Sequence, residues 1–142
     1  MVNMSNKIDK LRREVEKYLP CTPDISQKVL VIDDEFRNLR TFKSQFRKRA
    51  KVFTAENLDQ ALNVLRSNKI DIILCDYRMP NKNGAEVLSE IIKEFPDIRR
   101  LALTAYSDAE TRKEFKEKAK TTEFIFKPYS FNEVYSAIYS YS

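Results

Sequence analysis

Five polar residues of this 142-residue chain each stand at the end of a short apolar run, and their types suit one kind of chemistry. They are Asp33, Asp34, Asp76, Thr104 and Lys127. Two carboxylates about 4 Å apart repel by about 4 kcal/mol at an effective dielectric constant of about 20, so clustered acids favour a cation. Mg²⁺ suits carboxylates that act together with a phosphate ligand. An aspartate can also accept a phosphoryl group covalently, while a lysine and a threonine hydroxyl bind its oxygens.

The apolar runs before these residues have the character of strands that are buried on both faces of a parallel sheet. They occupy residues 29–32, 70–75, 100–103 and 124–126, and residues 51–55 add a further short strand. Helical patterns separate them, which predicts an α/β fold, a (βα)5 doubly wound parallel sheet with helices on both faces. If the strand order is 2-1-3-4-5, Asp33, Asp34 and Asp76 converge where the first and third strands are neighbours.

Four of the helices begin with a capping pattern, in which Asn or Ser stands three residues before Glu or Gln. The capping residues are Asn57, Asn83, Ser107 and Ser130, and another helix runs from Glu35 to about Arg49. Apolar residues at helical spacing are expected to face the sheet. In chain order they are Phe36, Leu39, Phe42 and Phe46; Leu58, Ala61, Leu62 and Leu65; Val87, Leu88, Ile91 and Ile92; Ala109, Phe115 and Ala119; and Phe131, Val134, Tyr135 and Ile138.

The composition excludes several other kinds of site. The chain has no histidine and its two cysteines lack metal-ligand spacing, so a zinc site is not expected. The net charge is +5, but the basic residues are spread along the chain, so a nucleic-acid site is not expected either. No apolar run approaches the ~20 residues of a membrane helix and no signal-peptide core is present, which predicts a cytoplasmic protein without membrane contact.

Residues 1–27 form a separate segment, an N-terminal helix and linker before the region 28–142. Apolar residues repeat at spacings of four and three, the stripe of an amphipathic helix, at Met4, Ile8, Leu11, Val15 and Tyr18. Pro20 and Pro23 end this helix. A helix of this length is marginal alone, so we expect it to pack on its own domain, on a second copy in a homodimer, or on another partner.

The motifs around the polar residues resemble the receiver domain of two-component response regulators, over residues 28–142. They are Val31-Ile32-Asp33-Asp34-Glu35; Asp76-Tyr77-Arg78-Met79-Pro80 with Gly84; Leu103-Thr104-Ala105; and Phe126-Lys127-Pro128. The resemblance implies a flavodoxin-like fold similar to that of the chemotaxis receiver. It also implies a cis peptide bond before Pro128.

The resemblance implies a role for each site residue. Asp76 would be the phosphoacceptor, and Mg²⁺ would be held by Asp33, Asp34, Asp76 and the backbone carbonyl of Arg78. Thr104 and Lys127 would bind the phosphoryl group. Thr104 and Phe124 would form a conformational switch, while Arg78 and Tyr106 would flank the site and influence the rate of dephosphorylation.

By the same resemblance, the chain would accept a phosphoryl group from the phosphohistidine of a histidine kinase or of a phosphotransfer protein and would not be a conventional enzyme. Two other classes remain open. A phosphatase of the haloacid-dehalogenase type also uses Asp, Thr and Lys around Mg²⁺, but it needs an acid two residues after its nucleophile, where this chain has Arg78. A flavodoxin-like protein-interaction module would keep the fold without phosphorylation.

Overall fold

Strands and helices alternate along the chain in a computed structural model that describes Lys7, Lys10, Leu11 and residues 27–105, 109–121 and 123–139. The elements are β1 (Lys28–Ile32), α1 (Phe36–Phe46), β2 (Lys51–Ala55), α2 (Leu58–Ser67), β3 (Ile72–Asp76), α3 (Gly84–Glu94), β4 (Arg99–Thr104), α4 (Ala109–Ala119), β5 (Glu123–Phe126) and α5 (Phe131–Tyr139).

The strands form one parallel sheet in the order β2-β1-β3-β4-β5, which confirms the predicted topology. Ile32 at the end of β1 pairs with Ala55 of β2 on one side and with Cys75 of β3 on the other. At the far side of the sheet, Thr104 of β4 pairs with Phe126 of β5. The chain therefore reverses its direction of winding at β1 and β3, and ligands bind at such a point in open α/β sheets.

Strand side chains alternate between two hydrophobic layers, one on each face of the sheet. One layer contains Leu30, Ile32, Ile73 and Cys75 with residues of α2, α3 and α4. The other contains Val29, Val31, Ile72 and Leu74 with residues of α1 and α5. Because both faces of the central strands are covered, their sequences are continuously apolar, and the free thiol of Cys75 is fully buried.

The predicted caps are present at the starts of three helices, at Asn57, Asn83 and Ser130. Asn83 forms a complete capping box, in which its side chain accepts from the Glu86 N–H at 2.9 Å and the Glu86 carboxylate accepts from the Asn83 N–H at 3.3 Å. The Gln60 side chain instead accepts from the N–H of Glu56, the residue before the cap. Ser107 lies outside the described residues. The caps fix where each helix begins relative to the sheet edge.

Two residues predicted to face the core are exposed. Phe36 is 63% exposed because it stands in the first turn of α1, beside the polar end of the sheet, whereas the later apolar residues of α1 are buried. Ala109 is also exposed. The buried side of α4 contains Thr111, Phe115 and Ala119, and a residue two positions before Thr111 points to the opposite side of a helix.

The N-terminal segment lies largely outside the described residues, so its predicted packing and the boundary at residue 27 stay predictions. Lys7, Lys10 and Leu11 are helical, and Leu11 is 57% exposed. In the ranges that the structure covers, no helix is both long and apolar enough to cross a bilayer.

Candidate functional site

Three carboxylates meet at the carboxyl edge of the sheet. Asp33 and Asp34 follow β1, Asp76 ends β3, and one oxygen from each lies within 4.8 Å of the others. Asp33 and Asp76 are buried, at 5% and 6% exposure, and Asp34 is more accessible. The acids line a cavity of about 560 Å³ that Arg78 and Lys127 also line. Three clustered carboxylates next to an open cavity are a donor set that fits a hard divalent cation.

Asp33 is held in place by two hydrogen bonds. Its Oδ1 accepts from the backbone N–H of Glu35 at 2.9 Å, and its Oδ2 accepts from the side-chain amide of Asn38 at 3.2 Å. Burial nevertheless raises the pKa of Asp33 above its ordinary value, against the effect of these bonds. The ionised acid is therefore less stable here than in water, and a bound cation would offset this cost.

Lys127, just after β5, supplies the cation that contacts Asp76. Its Nζ lies 2.7 Å from Asp76 Oδ1. Burial raises the pKa of Asp76 even though the bond to Lys127 acts to lower it. Burial acts to lower the pKa of Lys127, but the bond to Asp76 raises it overall. One lysine does not balance the three neighbouring acids.

Strands β4 and β5 bring Thr104 to the same edge as Lys127. Thr104 is the last residue of β4 and is fully buried, one position beyond Leu103, which pairs with Asp76. The backbone N–H of Lys127 donates to the Thr104 carbonyl at 2.7 Å. The Lys127–Pro128 peptide is cis, as the resemblance implied. Both proposed phosphoryl ligands are therefore attached to strand ends next to Asp76.

The loop after β3 packs closely on the acid site. The backbone N–H of Tyr77 donates to the Leu103 carbonyl at 3.0 Å, and the Gly84 N–H donates to the Tyr77 carbonyl at 2.8 Å. A Cβ atom on Gly84 would overlap the Asp76 carbonyl oxygen and would lie 2.9 Å from the carbonyl carbon. Glycine is required here for close approach, since its φ is not positive. Arg78 is exposed on this loop.

Phe124 lies half-buried on β5, next to α4. Its ring packs edge-on against Phe115 at a centroid distance of 5.8 Å and stacks with Phe126 at 6.4 Å. Phe115 in turn contacts the Tyr77 ring at 5.5 Å. Aromatic rings thus connect the loop after Asp76 with the position of the predicted switch. Tyr106, predicted to flank the site, lies outside the described residues.

Sequence reasoning missed two polar residues around the site. Asn38 donates to Asp33, and the only sign of this in the sequence is a polar residue early in the helix that follows. Glu114 of α4 accepts hydrogen bonds from Tyr77 and Asn83, which are 37 and 31 residues away in the chain. No local pattern indicates such a pairing, because it depends on how α4 docks.

Residues 29–139 match the family described as the response regulator receiver domain. This match covers most of the chain and includes every residue of the acid cluster. The chain belongs to the response regulator receiver family. It is a receiver domain of two-component signal transduction, and the acid cluster fits the phosphoacceptor site of such domains. Arg78, rather than an acid, stands two residues after Asp76, so nothing here favours the phosphatase alternative.

Curated relatives of the receiver include short and long proteins. It is 29% identical over 118 residues to sporulation initiation phosphotransferase F of Bacillus subtilis, covering 82% of this chain and 94% of that protein. It is 34% identical over 107 residues to transcriptional regulatory protein ZraR of Klebsiella oxytoca, covering 75% of this chain and 24% of that protein. It is 33% identical over 101 residues to the hydrogenase transcriptional regulatory protein HoxA of Cupriavidus necator, and it spans 21% of that protein's length.

Solved structures agree with this assignment. Response regulator protein TrrA of Thermotoga maritima, in complex with Mg²⁺-BeF, is 31% identical with a TM-score of 0.69, and the match covers 80% of this chain and 96% of that chain. Chemotaxis protein CheY4 of Vibrio cholerae is 22% identical with a TM-score of 0.74 over 79% and 95% of the two chains. The second similarity shows the fold alone.

Proposed function

We propose that Asp76 of this receiver is the phosphoacceptor and that Asp33, Asp34, Asp76 and the backbone carbonyl of Arg78 hold Mg²⁺. The observation that carries the proposal is the meeting of Asp33, Asp34 and Asp76 within 4.8 Å, with Lys127 Nζ 2.7 Å from Asp76. A solved relative, TrrA, is complexed with Mg²⁺-BeF, which supports the same ion here. When bound, Mg²⁺ would neutralise the acids and the charge on the phosphoryl oxygens.

The proposed donor is the phosphohistidine of a histidine kinase or of a phosphotransfer protein. A carboxylate oxygen of Asp76 attacks phosphorus, the phosphorus–nitrogen bond breaks, and the imidazole nitrogen leaves with the electron pair. Lys127 and the hydroxyl of Thr104 would then bind phosphoryl oxygens. The chain has no histidine, so it cannot supply the phosphohistidine of this exchange, and the role proposed for it is that of the acceptor rather than of a conventional enzyme.

Phosphorylation with acetyl phosphate and Mg²⁺ tests the proposal directly. Intact mass should increase by one phosphoryl group in the native chain, and neither Asp76→Asn nor the chelated sample should be labelled. Asp97→Asn is the matched control, because Asp97 is an exposed carboxylate away from the cluster. Labelling of Asp76→Asn at the native rate, or labelling without a divalent ion, would show that the site is wrongly assigned.

A conformational switch through Thr104 and Phe124 is the second part of the proposal. Movement of the Thr104 hydroxyl toward a phosphoryl oxygen would open space beside β5, into which the half-buried Phe124 ring can turn. The packing of Phe124 on Phe115 of α4 supports this, since the ring cannot turn without changing that contact. Amide spectra of α4 and β5 that are identical with and without beryllofluoride and Mg²⁺ would contradict it.

Self-association through residues 1–27 is the third part. The apolar stripe that includes Leu11 is the feature that supports it, and Leu11 is exposed. A chain that starts at Ser26 should remain phosphorylatable but sediment as a monomer, whereas the native chain should form more dimer as its concentration rises. Monomers of both chains at high concentration would contradict the homodimer.

A further inference from the structure

A polar cluster beside the acid site connects α4 with the loop that follows Asp76. The Glu114 carboxylate accepts from the Tyr77 hydroxyl at 2.7 Å through Oε2 and from the Asn83 side-chain amide at 2.8 Å through Oε1. The Asn83 amide also lies 3.5 Å from the Tyr77 hydroxyl. Lys118, one turn further along α4, donates to Glu114 Oε1 at 3.2 Å. We call Tyr77, Asn83 and Glu114 the α4 latch.

Tyr77 ties the α4 latch to the acid site. It stands between Asp76 and Arg78, the two residues of this loop that are proposed to hold Mg²⁺. Its backbone N–H donates to the Leu103 carbonyl and its carbonyl accepts from the Gly84 N–H, so its main chain has little freedom to move alone. Because Tyr77 is bonded covalently to both residues, a shift of either one toward a cation would reorient its side chain and change the position of its hydroxyl relative to Glu114.

Asn83 connects the latch to the start of α3. Its Oδ1 caps α3 by accepting from the Glu86 N–H at 2.9 Å, which leaves its amide group directed at Glu114. Glu114 thus contacts both ends of the loop between β3 and α3, and this loop lines the cavity of the acid site.

Helix α4 packs along α3 but buries few large apolar side chains, so the hydrogen bonds of the latch add to a small apolar contact. Among the described residues, the buried side of α4 consists of Thr111, Phe115 and Ala119, with one large apolar side chain. Glu114 itself is only 20% exposed at its side chain. Burial acts to raise the pKa of Glu114, but hydrogen bonds from the latch and from Lys118 bring it below the usual range. Hydrogen bonds to an ionised carboxylate are about twice as strong as neutral ones.

We propose that Glu114 is a positioning residue that holds α4 against the acceptor loop in the resting receiver, and that filling the acid site loosens this attachment. Coupling of this kind is reciprocal, so breaking the latch should favour occupation of the acid site by the same factor. That Glu114 holds α4 follows from its contacts with Tyr77 and Asn83 and does not depend on phosphorylation. Its coupling to occupancy rests on the function proposed above.

Hydrogen exchange of the full chain tests the attachment. Tyr77→Phe removes one hydroxyl and keeps the ring that packs on Phe115, and Glu114→Ala removes the acceptor. In both variants, amides of residues 109–119 should exchange about tenfold faster or more, as expected when hydrogen bonds to a charged group are lost. Adding Tyr77→Phe to Glu114→Ala should accelerate exchange little further, because both remove the same bond.

Glu117→Ala is the matched control for these variants. Glu117 lies on the same helix and its side chain is 65% exposed; its ion pair with Lys113 is long, at 3.9 Å. Replacing Glu117 with Ala changes the net charge by the same amount as Glu114→Ala does. Exchange in α4 should be close to native in this control. Glu114→Gln keeps an acceptor oxygen and should lie between Glu114→Ala and the native chain. Equal exchange in the latch variants and the control would overturn the attachment.

Binding of Mg²⁺ with beryllofluoride tests the coupling. Both latch variants should bind this phosphoryl analogue about threefold to tenfold more tightly than the native chain, within the usual range of coupling between sites, and Glu117→Ala should bind like the native chain. Equal or weaker binding by both latch variants would overturn the coupling. If the native chain binds neither Mg²⁺ nor the analogue, the proposed function fails, while the exchange comparison still decides whether Glu114 holds α4.

Discussion

Lys127 Nζ contacts Asp76 Oδ1 at 2.7 Å across the end of β4, because β3 and β5 flank that strand in the sheet. The two residues are 51 positions apart in the chain, so the pair exists only through the topology. A fixed ammonium and a divalent cation beside the same carboxylate repel one another, and Lys127 should therefore weaken Mg²⁺ binding while it orients Asp76.

Replacing Lys127 with Met should tighten Mg²⁺ binding about tenfold, since a unit charge within a few Å of the ion is removed at the water-exposed edge of the site. Titration of the intact chain with Mg²⁺ measures the change. Lys69→Met is the matched control, because it removes the same net charge at an exposed residue that precedes β3, whereas Asp76 ends this strand. Weaker Mg²⁺ binding by Lys127→Met would mean that orientation of Asp76 outweighs repulsion.

The buried acids should make stability depend on pH in a direction opposite to that of a paired surface carboxylate. Burial raises the pKa of Asp33 and of Asp76, so the folded chain binds their protons more tightly than the unfolded chain does. That contribution to the free energy of unfolding is fully present below the unfolded pKa and is lost as pH rises through the folded pKa. Asp33→Asn should accordingly be more stable than the native chain at pH 7, and its advantage should shrink as pH falls toward 4.

Mg²⁺ should reverse this order of stability. At a free Mg²⁺ concentration a hundred times its dissociation constant, the native chain should gain about 2.7 kcal/mol, whereas Asp33→Asn lacks one ligand and should gain much less. Urea unfolding at pH 7 with and without Mg²⁺ gives both values, with Asp97→Asn as the control for loss of one carboxylate. A native chain that is the more stable of the two without Mg²⁺ would contradict the effect of burial on Asp33.

The sequence predicts the acid cluster because its members end a strand or directly follow one, and strand ends are set by apolar runs that the sequence shows directly. Once the sheet order is known, Asp33 and Asp76 must be neighbours. The same reasoning fails for Phe36, since helical spacing identifies the side of a helix but not how far its first turn extends past the sheet. It also fails for Glu114, whose partners depend on the docking of a helix with little apolar surface.

Gly84→Ala should destabilise the receiver even though alanine is favoured over glycine in a helix by about 1 kcal/mol. The added Cβ would overlap the Asp76 carbonyl oxygen and lie 3.0 Å from the Tyr77 Cα, so the peptide unit that joins the acceptor to Tyr77 must move. We expect a net loss of about 1–3 kcal/mol in urea unfolding, as for other overpacked sites, together with weaker Mg²⁺ binding. Unchanged or increased stability would show that the loop adjusts without cost.

Two arginine–glutamate pairs of similar geometry should contribute unequally to stability. Arg99 binds Glu123 at 2.9 and 2.7 Å, and its side chain is 15% exposed. It also donates at 2.9 and 2.6 Å to the last carbonyls of α5, those of residues 138 and 137. Arg66 binds Glu94 at 2.8 Å through two nitrogens, but both side chains are largely exposed, at 53% and 43%.

Arg99→Met should therefore lower the free energy of unfolding by about 2–3 kcal/mol, because the carboxylate and the end of α5 lose charged hydrogen bonds in a half-buried place. Arg66→Met is the matched control and should have a far smaller effect, since water replaces its contacts. Urea unfolding of the two variants at equal ionic strength measures both changes. Equal losses of stability would mean that burial and the bonds to α5 add nothing to the Arg99–Glu123 pair. The position of β5, which Lys127 follows, would then depend on its backbone hydrogen bonds with β4 and not on this pair.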